Sequence, residues 1–247
     1  MTISTADNSS NRKLRVLCLH GYEQDADIFR TKLKRHIQAL EDIVEFVFVS
    51  APNVLRPYDI NGMDNMARAE AERNGKTLGR TYRGWYSLTN ADPEITTGVD
   101  TSIGYLDKVM ELQGPFDGIL GFSQGGLMAA VMCAVLERRK AVANNALPGQ
   151  RERNNHPLFR FAIICSGYKL QDAKWQDLYD ATRPLATRSL HLYGVLDPMI
   201  RFSKSMELQK HFANPESLCF EGAHFIPKAH DVILAISQFV KQFQSNY

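Results

Sequence analysis

Gly118-Ile119-Leu120-Gly121-Phe122-Ser123-Gln124-Gly125-Gly126-Leu127 decides how this chain is read. Upstream, Phe116-Asp117-Gly118-Ile119-Leu120 reads as a buried strand. Downstream, Leu127 to Leu136 holds no polar residue and reads as a helix. Ser123 therefore stands on a strand-to-helix turn, with glycines two before and two after it. A tight turn there projects the hydroxyl from the carboxyl edge of a sheet, and the glycines remove side chains that would collide. The helix that opens at the turn adds unpaired N–H groups and a positive dipole end, which suit a developing oxyanion.

A serine hydroxyl is hardly ionised at neutral pH, so a nucleophilic role needs a base and a group to orient that base. In strand–turn–helix sites of this kind the acid and then the base follow the serine along the chain. Ser189-Leu190-His191-Leu192-Tyr193 reads as a strand, and Gly194-Val195-Leu196-Asp197-Pro198 as the loop after it. Ser217-Leu218-Cys219-Phe220 reads as the next strand. Glu221-Gly222-Ala223-His224-Phe225-Ile226-Pro227 is its loop, with Pro227 placed to start a final helix. Ser123, Asp197 and His224 thus all fall at carboxyl ends of strands, where open α/β sheets carry their chemistry. Glu221 is the competing acid, but it lies too near His224 in sequence to face the far ring nitrogen. His230 is the competing base. His36 and His211 sit among charged helical residues and are expected at the surface. His156 lies in a polar loop, and His191 alternates with apolar residues as a structural histidine does. No histidine pairs with Cys, Asp or Glu at metal-ligand spacing, so no metal site is expected.

An oxyanion site is the third requirement. Arg15-Val16-Leu17-Cys18-Leu19 is a buried strand that runs into His20-Gly21-Tyr22. A His-Gly turn at that place offers one backbone N–H, and the residue after the nucleophile offers the other. The donors expected here are the amides of Tyr22 and Gln124.

Five stretches together resemble the fungal-and-animal family of serine hydrolases, which takes in small esterases and thioesterases of α/β-hydrolase fold. They are Leu17-Cys18-Leu19-His20-Gly21, Arg83-Gly84-Trp85-Tyr86, Gly121-Phe122-Ser123-Gln124-Gly125-Gly126, Gly194-Val195-Leu196-Asp197-Pro198 and Gly222-Ala223-His224-Phe225-Ile226-Pro227. The Arg-Gly-Trp-Tyr element tips the choice towards this family, because the others are shared with carboxylesterases. The resemblance runs from about Leu14 to Phe243 and carries the family triad onto Ser123, Asp197 and His224. The departure is a longer polar segment around Ala141–Pro157. Some relatives have been labelled dihydrofolate reductases, yet no nicotinamide site is legible and no cofactor is expected.

Composition fits one α/β domain. The 247 residues are enough to bury a sizeable core, and 44% of them are apolar. A formal net charge of +2 argues against a dedicated nucleic-acid surface. No apolar run approaches the roughly 20 residues of a membrane span. Residues 1–13 are polar without a hydrophobic signal core. They read as a disordered tail ahead of a domain over 14–247, in a cytoplasmic or nuclear protein. Cys18, Cys133, Cys165 and Cys219 read as buried, reduced thiols.

Six strands are predicted, at Arg15–Leu19, Val44–Val49, Gly118–Gly121, Phe161–Cys165, Ser189–Tyr193 and Ser217–Phe220. Helical patterns run over Ala26–Leu40, Thr101–Leu112, Gly125–Arg139, Met199–Phe212 and Lys228–Gln244. Such alternation implies a mainly parallel six-stranded sheet with helices on both faces, the α/β-hydrolase fold. The stretch Pro52–Val99 interrupts it after the second strand and reads as a small cap-like insertion. Met63, Trp85 and Tyr86 are its candidate substrate contacts, though Trp85 suits packing equally well. Arg56, Arg80 and Arg83 offer cations for an acidic substrate group, or simply a solvated surface. The expected activity is hydrolysis of a small-molecule carboxylic ester. A thioesterase unloading an acyl-carrier protein, and a non-catalytic ligand-binding protein of the same fold, are the alternatives.

Overall fold

The computed structural model describes residues 12–55, 81–88, 95–145, 156–180 and 182–244. Its centre is a six-stranded, all-parallel sheet built from β1 (Leu14–Leu19), β2 (Val44–Val49), β7 (Gly118–Phe122), β8 (Phe161–Cys165), β9 (Arg188–Gly194) and β10 (Pro215–Phe220). Strand order across the sheet is β10-β9-β8-β7-β1-β2. The chain steps outward from β1 to β2, then crosses back to β7 on the other side of β1. That reversal opens a crevice beyond the carboxyl ends of β1 and β7, where open α/β sheets bind their ligands. All six predicted strands are present, with ends moved by at most two residues.

Both faces of the sheet are covered, so its middle strands read as unbroken apolar runs rather than alternating ones. Successive side chains still take opposite faces. Leu17, Leu19, Ile119, Ala162 and Ile164 join one cluster with α3 (Val99–Gln113), α4 (Gln124–Asn145) and Leu208 of α5 (Phe202–Gln209). Val16, Cys18, Leu120, Phe122, Ile163, Cys165 and Leu192 join the other. There they meet α1 (Ala26–Lys32), α2 (Lys34–Leu40) and α6 (His230–Lys241). Each Leu or Phe fully removed from water contributes about 1.5–3 kcal/mol, and these two clusters hold most of them.

The helices differ from expectation at instructive points. Ala26–Leu40 is two helices, because Leu33 leaves the helical region with φ −89° and ψ 6° and caps both. No Gly or Pro marks the break; Leu33 itself is buried. Asp25 caps α1 by accepting from the Ile28 N–H at 2.8 Å. Helix α4 runs past Arg139 to Asn145: the basic run suits a C-terminus, but Ala141 and Ala143 are strong helix formers and continue it. Pro227 does not start the last helix, which begins at His230; its carbonyl instead accepts from the His36 Nε2 at 3.0 Å. Cys219 is exposed, since it faces outward on the edge strand β10, whereas Cys18, Cys133 and Cys165 are buried. Arg12, assigned to the tail, forks onto Asp117 with two 2.8 Å bonds.

The insertion is pinned at both ends. β3 (Asn53–Val54) pairs antiparallel with β4 (Arg83–Gly84), and β5 (Ser87–Leu88) with β6 (Thr96–Thr97). Asp172 holds the far ribbon by accepting from the Thr96 N–H and hydroxyl, both at 2.8 Å. Residues 56–80 and 89–94 lie outside the described residues, and with them Met63, Arg56 and Arg80. Among the described residues no helix is long and apolar enough to cross a membrane.

Candidate active site

Ser123 follows the last residue of β7 with φ 55°, in the left-handed region that L-residues avoid. The bend is held from two sides: the Ser123 N–H donates to the Cys165 carbonyl at 2.8 Å, and its own carbonyl accepts from Leu127 at 3.0 Å. The neighbouring glycines are needed for close approach. A Cβ on Gly121 would run into the Gly125 carbonyl, and one on Gly125 would run into the carbonyls of Leu19 and His20. Strain of this kind, about 1–3 kcal/mol, persists where the surroundings over-determine the backbone.

Two loops bring the partners in. Asp197 sits beyond β9, where its Oδ1 accepts from the N–H groups of Met199 at 2.9 Å and Ile200 at 2.8 Å. With one oxygen so fixed, Oδ2 faces the His224 Nδ1 at 2.7 Å. The His224 Nε2 lies 2.9 Å from the Ser123 Oγ. His224 packs its ring on Phe122, with centroids 4.8 Å apart. Asp197 is buried and the imidazole retains some exposure, so the relay runs from a dry carboxylate to an accessible ring. The network assigns Nδ1–H to Asp197 and leaves Nε2 to accept a hydrogen bond from the Ser123 hydroxyl. Glu221 makes no bond to His224 in this arrangement; the loop turns back on itself through a Phe225 N–H to Ala223 carbonyl bond.

The turn after β1 lies beside the start of α4. Gln124 is the first residue of that helix, so its N–H has no intrahelical acceptor. Its side chain lies between two peptide groups: Oε1 accepts from the Trp85 N–H at 2.6 Å, and Nε2 donates to the Tyr86 carbonyl at 2.7 Å. The Trp85 indole N–H donates to the His20 carbonyl at 2.8 Å. Gly84 admits the Tyr22 ring, whose edge would stand 3.0 Å from a Cβ placed there. Trp85 and Tyr86 are completely buried, with the Tyr86 hydroxyl 2.7 Å from that of Tyr168. The structure thus puts both beneath the site as packing and brace, not on a substrate-facing wall. Arg83 donates to the Ala51 carbonyl at 3.0 Å. Met63 is outside the described residues.

Three histidines elsewhere are buried without charge. His20 accepts from the Ala51 N–H at Nε2, 2.9 Å, and donates from Nδ1 to Gly21 at 2.7 Å; burial pulls its pKa down to about 4. His191 is likewise held down, to about 3, by burial. His36 is lowered for the same reason and is not at the surface. Phe29, Leu33 and Leu40 of the same segment are buried with it. His211 is half-buried against Tyr179, while His156 accepts from the Phe116 N–H at 2.9 Å. A buried neutral histidine stabilises the fold fully above the unfolded pKa near 6.5, and that stability is lost as pH falls towards the folded value. His20 and His191 should each forfeit about 2 kcal/mol between pH 7 and pH 5, a window in which ordinary carboxylates hardly titrate. Urea unfolding at pH 7, 6 and 5 measures this; equal stability at all three would contradict it.

An all-parallel sheet with a strand–turn–helix serine after β7, and with Asp197 and His224 brought to it from the loops after β9 and β10, is the α/β-hydrolase fold. The chain belongs to the serine hydrolase (FSH1) family, whose model matches residues 9–236. It is 32% identical to human esterase OVCA2 over 243 residues, covering 95% of this chain and 99% of that protein. The Danio rerio esterase OVCA2 is 31% identical over 239 residues, with 94% and 98% covered. Among solved structures, Zea mays acyl-protein thioesterase 2 superposes with a TM-score of 0.61 at 14% identity, covering 97% of each chain. Esterase PE8 gives 0.60 at 19%, over 95% of this chain and 94% of that one. Likeness at such low identity speaks to the fold alone.

Proposed function

We propose that this protein hydrolyses carboxylic esters through an acyl-enzyme, with Ser123 as nucleophile, His224 as base and Asp197 as the group that orients and stabilises the imidazolium. The observation that carries this reading is the unbroken relay from Ser123 through His224 to Asp197, at 2.9 and 2.7 Å. Ser123 Oγ adds to the ester carbonyl while His224 Nε2 takes its proton, and the carbonyl π pair moves to oxygen. The amides of Tyr22 and Gln124 receive that oxyanion. Collapse expels the alkoxide, which takes the proton from His224. Water then repeats the cycle on the acyl-enzyme and releases the acid.

An apolar acyl group suits the surroundings. Leu196 and Met199 flank Asp197 and are 63% and 62% exposed, and Phe225, next to His224, is 47% exposed. Apolar side chains on the two loops that carry Asp197 and His224 offer an acyl group surface to bury. Acyl esters from acetyl to hexanoyl should therefore rise ten- to a hundredfold in kcat/KM, since each buried methylene contributes up to about 0.8 kcal/mol. Leu196→Ser should flatten that rise. Assay of matched oxygen esters and thioesters on the same acyl group, with fluorophosphonate labelling alongside, tests the whole reading. Labelling with faster ester turnover supports it. Thioester preference moves the activity to the thioesterase class, and absence of both labelling and turnover leaves only a binding protein.

A further inference from the structure

The β1 and β7 ladder ends at the pair Leu19 and Gly121. Beyond it, the turn carrying Tyr22 and the turn carrying Gln124 leave the sheet separately. Where Gly125 closes on the Leu19 and His20 carbonyls the two turns touch directly. One tetrapeptide of the insertion bridges them. On the Tyr22 side, Arg83 pairs with Gln24 as an isolated bridge, Gly84 receives the Tyr22 ring, and the Trp85 indole N–H holds the His20 carbonyl. On the other side, the Trp85 N–H and the Tyr86 carbonyl take both ends of the Gln124 carboxamide. The tetrapeptide is itself anchored, because the Trp85 carbonyl accepts from the Ser102 hydroxyl at 2.5 Å and the Asn53 amide at 2.8 Å. The bonds of Trp85 to Gln124, His20 and Ser102, and of Gln124 to Tyr86, are buried, where hydrogen bonds are stiff and an unmade one is costly.

We infer that Gln124 and Trp85 are positioning residues that hold the two oxyanion-binding amides in register, which makes Arg83–Tyr86 part of the catalytic apparatus. The inference rests on the proposed oxyanion site. A carboxamide offers an acceptor and a donor side by side, which is what one peptide N–H and the next carbonyl require. A glutamate lacks the donor, and an apolar isostere lacks both. The side chain of Gln124 thereby fixes where its own backbone N–H points. Trp85 does the same for the other turn, through the carbonyl two residues before Tyr22.

The test uses the full chain, an ester substrate, and an aryl trifluoromethyl ketone. The Ser123 oxygen would add to that ketone to form a hemiketal whose oxyanion occupies the same site. Trp85→Phe keeps the ring packing and removes the bond to His20; Gln124→Met keeps the length and removes both carboxamide bonds. Each is expected to lower kcat about 10- to 100-fold, as a misaligned oxyanion donor does, with KM within about threefold. Affinity for the ketone should fall by the same factor as kcat/KM, while inhibition by the product acid stays unchanged. A merely structural role would not move the ketone selectively. If Gln124→Met fails to fold, Trp85→Phe decides alone. A variant that keeps ketone affinity within twofold overturns the inference, whatever happens to kcat. Wild-type protein that neither turns over ester nor takes a fluorophosphonate overturns the nucleophile reading instead, a separable failure.

Discussion

Ser123→Ala is expected to lower kcat on the best ester by on the order of 10⁶ and to abolish fluorophosphonate labelling, with the fold intact. Nucleophile, base and orienting acid act as one unit, so loss of the nucleophile forfeits nearly all that the unit supplies. What survives is binding and oxyanion stabilisation, which act without it. The fold should hold because among the described residues the Ser123 hydroxyl bonds the His224 ring alone, while the backbone bonds to Cys165 and Leu127 that fix the bend involve no side-chain atom. Alanine meets the same φ of 55° that serine already tolerates. Melting temperature should thus change by a few degrees at most. Undiminished labelling of the variant would remove Ser123 from its proposed role.

Asp197→Asn is expected to lower kcat about 10⁴-fold, through the tautomer of a ring it does not otherwise disturb. Two backbone N–H groups, of Met199 and Ile200, require an acceptor at the Oδ1 position. An asparagine must therefore place its oxygen there and aim its NH₂ at the His224 Nδ1. Nδ1 then has to accept, the proton moves to Nε2, and Nε2 faces the Ser123 hydroxyl as a donor. A ring in that state cannot take the serine proton, and losses of about this size follow in such relays. The measurement is kcat/KM for wild type and variant, with ¹⁵N spectra of the imidazole reporting the protonated nitrogen. A variant with Nδ1 still protonated, or a loss under tenfold, would contradict this account.

Most of the sheet was readable because a buried strand and an amphipathic helix are written in consecutive residues. Phe161-Ala162-Ile163-Ile164-Cys165 needs no distant partner to look like a fully covered strand. The chain order of Ser123, Asp197 and His224, each just past a strand, was equally local in its evidence. Where the reading failed, the deciding contact lay far away in sequence. His36 looked exposed beside Lys34 and Arg35, yet it donates to the carbonyl of Pro227, 191 residues on. Cys219 looked buried in its strand, but β10 is an edge and leaves it open.

The sequence by itself determined the parallel sheet, the placing of Ser123, Asp197 and His224 just past their strands, and the sharp serine turn. Periodicity, turn glycines and strand-end loops are properties of neighbouring residues. Tertiary structure alone decided where Trp85 and Tyr86 lie. Their segment has no period to reveal a facing direction, and their partners, His20 and Gln124, come from two different strand ends. Whether an aromatic pair lines a mouth or braces a floor depends on which polar groups close over it, and only the folded chain brings those groups together.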